Sequence, residues 1–171
     1  MKKYGYVEIK FPRAFNKKLK NILRNLVDSD KFYYSDAVDY IQGDVTDKIH
    51  LTVFFGLRDV ELKNKKLKTF LKNLKVENIL FDKFLIIDGY KGLYKVLSLS
   101  IDNESKSKLQ EIHDEIMKYN FDPEMIHDEF KPHVTLAYVI KDFEIPKNAE
   151  SININVKPNS FKLSEFIDDR A

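Results

Sequence analysis

Two stretches of the chain repeat one pattern. Residues 48–56 read KIHLTVFFG and residues 131–139 read KPHVTLAYV. Each is an apolar run, too short for a helix of ordinary length, broken by a His and a Thr two places apart. Side chains alternate between the faces of a strand, so a spacing of two puts both polar groups on one face. His50 and Thr52 therefore share a face, with Leu51, Val53 and Phe55 expected on the other. His133 and Thr135 are likewise set against Val134, Leu136 and Tyr138. Each strand then has one apolar face for a helix-covered core and one face that offers an imidazole and a hydroxyl.

The flanking segments repeat in the same order. YGYVEIKF over 4–11 alternates like a half-buried strand, and Phe15, Leu19, Ile22, Leu23 and Leu26 then fall on one helical face. A polar, aromatic-rich connection over 28–47 leads to the first motif. Helical spacing returns over 61–75 through Leu67, Phe70, Leu71 and Leu74. Strands are expected near 76–88 and 93–101, joined by a loop at Asp88, Gly89 and Gly92. A helix over 103–119 carries Leu109, Ile112, Ile116 and Tyr119, and leads through a loop with Pro123 to the second motif. The tail offers strands near 151–157 and 160–167. Strand, helix and His-strand thus occur twice, a coarse internal duplication. Short strands joined by ordinary loops predict an α+β fold with a mostly antiparallel sheet, in a single domain over 1–171.

Bulk properties narrow the functional classes. Of 171 residues, 43% are hydrophobic and 13% aromatic, enough for a packed core. The formal net charge of +2 argues against long duplex nucleic acid as the main ligand. There is no Cys, which excludes disulfides, thiolate metal sites and thiol catalysis. No apolar run reaches membrane-spanning length, so the sequence reads as a cytoplasmic protein without a membrane partner.

Two facing imidazoles suit general acid-base catalysis near neutral pH, one accepting a proton and the other donating one. Two Thr hydroxyls can donate hydrogen bonds to an anion held between them. A phosphate diester fits this set: one His activates the attacking oxygen, the other protonates the leaving oxygen, and the hydroxyls hold the non-bridging oxygens. The pattern requires no metal or other cofactor. The competing reading is two half-buried His residues, each hydrogen-bonded to its own Thr, and the pairing of the motifs inside a repeated unit favours a shared site.

FKPHVTLAYV over 130–139 and KIHLTVFFGL over 48–57 resemble the two H-x-T/S signatures of the 2H phosphoesterase superfamily, in particular its 2'-5' RNA ligase and cyclic phosphodiesterase branch. The motif separation (133 − 50 = 83) and the element order also fit, so the resemblance covers essentially the whole chain. It implies a bilobal, pseudo-symmetric fold, with two mostly antiparallel sheets around a central groove and helices outside. It implies His50, Thr52, His133 and Thr135 as the catalytic set. The implied activity is metal-independent cleavage of a ribonucleotide phosphodiester involving a ribose 2'-oxygen, as a 2',3'-cyclic phosphate, a 2'-5' linkage or an RNA end. A phage-encoded branch with similar signatures cleaves the cyclic oligonucleotide messengers of bacterial antiviral immunity. Tyr138 follows Ala137 where some ligase-like members carry an Arg after the second motif. A nucleotide-binding module without turnover is the non-enzymatic alternative.

Outside the motifs, the candidate substrate-binding residues are Tyr6, Tyr40, Lys131, Tyr138 and Glu165. Tyr33, Tyr34 and Tyr40 precede the first motif and could stack on a base. Lys48 and Lys131 lie two residues before each His and could steer a phosphate. Glu165, near Phe161 and Phe166, could accept from a base edge if the C-terminal strand closes over the groove. His113 and His127 read as surface histidines, and the Lys run over 63–75 as a solvated helix face. The expected partner is a small or single-stranded ribonucleotide bound by a monomer.

Overall fold

The computed structural model describes residues 2–34, 49–75, 77–149 and 151–168. Its strands are β1 (Lys2–Lys10), β2 (His50–Arg58), β3 (Ile79–Asp88), β4 (Tyr94–Ile101), β5 (His133–Ile140), β6 (Ser151–Val156) and β7 (Ser160–Asp168). The helices are α1 (Arg13–Leu26), α2 (Lys65–Asn73) and α3 (Asn103–Ile116). Pro12 precedes α1, where its fixed φ suits entry into a helix. The Asn64 side chain caps α2 by accepting from the N–H groups of Lys66 and Leu67, and Asp102 caps α3 through Ser105 N–H. The predicted second helix is shortened because a 3-10 segment, Asp59–Lys63, takes its first turn.

All described strand pairings are antiparallel, in one sheet of order β6-β3-β4-β5-β2-β1-β7. The α+β class agrees with the sequence, but the two expected sheets are one. β2 and β5 meet through a single registered pair, Leu51 with Val134, and then splay apart. Each open edge is partly filled by the segment that follows a helix. Phe32, after α1, bridges Val139, and Phe121, after α3, bridges Leu57. The duplication is therefore visible in the pairing: β1-α1-β2 and β4-α3-β5 meet at the centre of the sheet.

The core lies on the helix face. Phe15, Leu19 and Leu23 from α1, Leu67 and Leu71 from α2, and Leu109 and Ile116 from α3 join Val7, Ile9, Leu51, Leu97, Leu99 and Val134. Consecutive strands β6 and β7 occupy opposite sheet edges, although only residues 157–159 separate them. A flat seven-stranded sheet would hold its edges about 29 Å apart, whereas a link this short reaches about 14 Å. The sheet is therefore curled at this end, where Asn159 N–H donates to the Lys10 carbonyl at 2.8 Å. Among the described residues, no helix is long and apolar enough to cross a membrane.

Candidate active site

The seam pair builds the site. Antiparallel register places Leu51 opposite Val134, and both are fully buried. One residue to either side, the same register sets His50 toward Thr135 and Thr52 toward His133. All four side chains are partly exposed while their neighbours Leu51, Val53, Val134 and Leu136 are buried, so the four share the face away from the helices. Two motifs 83 residues apart in sequence (133 − 50) thus become adjacent at the centre of the sheet.

Beyond the Thr residues, simple alternation fails in both strands for the same reason. Glu8 pairs with Thr52 and Val7 with Phe54, which leaves Val53 as an extra residue. Ser98 pairs with Thr135 and Leu97 with Ala137, which leaves Leu136 extra. A β-bulge inserts one residue and inverts the faces that follow it. Phe54 and Ala137 therefore join the core, and Phe55 and Tyr138 turn to the motif face. Their expected places on the apolar face are corrected accordingly. Phe55 packs on Tyr6 and Phe166, with ring centroids 6.2 and 5.2 Å away. Tyr138 meets Tyr94 at 5.6 Å, and Tyr94 meets Tyr33 at 5.2 Å.

A cleft of about 580 Å³ opens between the splayed strands, lined in part by Thr52, Phe55, Lys131, His133, Thr135 and Tyr138. Gly56 shapes its far wall. It is the extra residue of a further bulge and has φ +90°, a conformation that favours glycine. Its carbonyl accepts from Asp122 N–H at 2.8 Å, which holds the loop carrying Met125, Ile126 and His127 against the strand. His113 is not a surface residue. Its ring lies 5.1 Å from Phe54 and 4.6 Å from Phe130, its side chain is 13% exposed, and it lines the cleft. His127 is exposed at the rim.

The two imidazoles have different surroundings. His133 Nδ1 lies 2.7 Å from the Lys131 carbonyl oxygen. A carbonyl can only accept, so Nδ1 carries the proton of that bond and Nε2 is left to face the cleft. His50 Nδ1 lies 3.7 Å from Glu8 Oε2. Glu8 is 1% exposed, accepts from Ser164 Oγ at 2.6 Å and pairs with Lys10 Nζ at 2.9 Å. Burial pushes the Glu8 carboxyl up, but the Ser164 hydrogen bond, the Lys10 ammonium and the His50 ring together hold it below its usual value. Glu8 was legible only as part of a stripe: Tyr4, Tyr6, Glu8 and Lys10 alternate with Gly5, Val7 and Ile9.

The other candidates divide. Tyr6 is half-buried beside the site, its ring centroid 6.1 Å from that of His50. Lys131 reaches the cleft and is paired with Glu129 at 3.1 Å. Glu165 is not brought to the site. Ser164 contacts Glu8 and Phe166 contacts Phe55, so alternation puts Glu165 on the opposite face, where it pairs with Lys3 at 3.3 Å. Tyr34 is exposed. Tyr40 and Lys48 lie outside the described residues. Among the described residues, no group of three or more His, Asp or Glu side chains is arranged to hold a metal ion.

A family model described as anti-CBASS protein Acb1 matches residues 5–168. The chain belongs to the anti-CBASS Acb1 family. This assignment agrees with membership of the 2H phosphoesterase superfamily. No curated protein matches this Acb1-family chain significantly. Among solved structures, one described as a phosphoesterase aligns with TM-score 0.59 at 13% identity, covering 94% of this chain and 86% of that one. Escherichia coli LigT complexed with NADP+ aligns with TM-score 0.59 at 12% identity, covering 99% and 90%. Kluyveromyces marxianus Usb1 aligns with TM-score 0.52 at 9% identity, covering 80% and 71%. At such identities the likeness is one of fold, and it spans nearly the whole Acb1-family chain for LigT.

Proposed function

We propose that the chain is a phosphodiesterase that cleaves a ribonucleotide phosphodiester between His50 and His133, with cyclic oligonucleotide immune signals as its substrate class. The reading rests above all on one observation: the Leu51–Val134 pair joins two H-x-T motifs so that two imidazoles and two hydroxyls share one face. In this mechanism one imidazole accepts the proton of the attacking hydroxyl as a new P–O bond forms. The other gives a proton to the leaving oxygen as the old P–O bond breaks. Thr52 and Thr135 donate to the non-bridging oxygens, whose charge must be stabilised in the transition state. Phe55 and Tyr138 flank the four residues and would carry the bases on either side of the scissile phosphate. Family membership supports the choice of cyclic signals over RNA ends.

A substrate panel tests the proposal: cyclic di- and trinucleotides, 2'-5' oligoadenylate and 2',3'-cyclic mononucleotides, each with EDTA present. Cleavage of the cyclic oligonucleotides, lost in both His50→Ala and His133→Ala, is the expected result. Full activity in either single variant would sink the mechanism. Tight binding without product from any substrate would make the chain a binding module.

A further inference from the structure

The pseudo-two-fold arrangement of the sheet makes the two histidines equivalent in position, but their neighbours are not equivalent in chemistry. Opposite Thr52, on the strand beside β2, stands Glu8; opposite Thr135, on the strand beside β5, stands Ser98. Both are buried, at 1% and 0% exposure. Opposite His50 stands Lys10, and opposite His133 stands Ser100. A carboxylate therefore stands beside one motif where a serine holds the matching place beside the other. We propose that Glu8 is a positioning residue that makes His50 the proton donor of the pair and leaves His133 as the proton acceptor.

The geometry around each ring supports this division. Glu8 is anchored by Ser164 and Lys10, and its Oε2 faces His50 Nδ1 at 3.7 Å. A buried carboxylate beside an imidazole favours the imidazolium and turns its Nε2–H outward. On the other side, no described carboxylate lies within ion-pair distance of His133, and its Nδ1–H is committed to the Lys131 carbonyl. Its Nε2 lone pair is then available to the attacking hydroxyl. The proton balance follows. The attacking O–H proton passes to His133, the His50 proton passes to the leaving oxygen, and exchange with water restores both rings.

The described titratable groups around the Glu8–His50 pair are Lys10 and Tyr6 on β1 and, in register with Glu8, Lys162 on β7. On the His133 side, Asp82 on β3 accepts from Ser100 Oγ, and Lys131 is paired with Glu129.

This proposal rests on the phosphodiesterase reading, and two measurements separate their failures. In the pH profile of kcat/KM, Glu8→Gln should move the alkaline limb, set by the donor, to lower pH by about one unit and leave the acidic limb in place. Glu8→Asp should restore part of that shift. A uniform loss at all pH values, or movement of the acidic limb instead, overturns the proposal. Imidazole 15N NMR titration needs no turnover: Glu8→Gln should lower the His50 midpoint and leave that of His133. If Glu8→Gln fails to fold, the wild-type spectra decide. His50 must titrate above His133, and neutral His133 must carry its proton on Nδ1; the reverse order overturns the proposal. Absence of cleavage by the wild type would refute the phosphodiesterase reading while leaving the NMR test intact.

Discussion

Replacing Gly56 by Ala tests how the cleft wall is held to the sheet. Two costs are legible in the structure. The backbone at Gly56 has φ +90°, and an Ala Cβ built there would stand 2.6 Å from Met125 Cβ. Left-handed backbone costs an L-residue about 1–2 kcal/mol. Met125 Cβ is fixed to its own backbone, so rotating that side chain cannot relieve the contact, and the whole Asp122–Met125 turn must move. Overpacking of this kind costs about 1–3 kcal/mol, for a total of about 2–5 kcal/mol. Gly92 supplies the control: its φ is +69°, with nothing within 4 Å of an added Cβ. Gly92→Ala pays the backbone term alone, about 1–2 kcal/mol. Urea unfolding followed by circular dichroism should rank the variants, and the Tm of Gly56→Ala should fall by about 5–15 °C. Gly56→Ala should also lose activity, because Met125, Ile126 and His127 line the cleft. Equal destabilisation in the two variants would refute the steric argument and leave only backbone strain.

Three further outcomes follow from the site. Thr52→Val and Thr135→Val should each lower kcat about 10²–10³-fold on the cleaved substrate with little change in thermal stability, measured by steady-state kinetics and melting. Phe55→Ala and Tyr138→Ala should raise KM by about 5–100-fold, corresponding to a lost base stack, whereas Glu165→Gln should leave both constants within about twofold. Glu8 should also stabilise the fold in a pH-dependent way. Its folded value lies below the ordinary 4.5, so its contribution is fully present above about pH 5 and is lost as the pH falls through the folded value. Glu8→Gln should thus be less stable than wild type at pH 7, and urea titrations at pH 7, 5, 4 and 3 should show the gap closing with acid.

Much of the site was written in local spacing. His50 with Thr52, and His133 with Thr135, share a face because a strand has a period of two, and that holds wherever the strand sits. The helices were legible from Leu19, Leu67 and Leu109 and their neighbours, with caps at Asn64 and Asp102 setting where two of them begin. Tyr138 was already a substrate-binding candidate, but the strand face that it and Phe55 present was not legible. Their faces depend on bulges at Val53 and Leu136, and a bulge is a mismatch between two strands, invisible in either alone. His113 looked like a surface residue because nothing in its helix records the Phe54 and Phe130 rings around it.

By itself, the sequence determined the two polar strand faces, the duplicated order of elements and the chemistry that two imidazoles and two hydroxyls allow. Only the tertiary structure decided that one sheet, rather than two, carries both motifs, and that the single pair of Leu51 and Val134 brings them together. It also decided that the halves are unequal, with Glu8 beside one histidine and Ser98 at the matching place near the other. Periodicity is a property of neighbours along the chain, while strand order, register and the charge beside a ring are set by residues far apart in it.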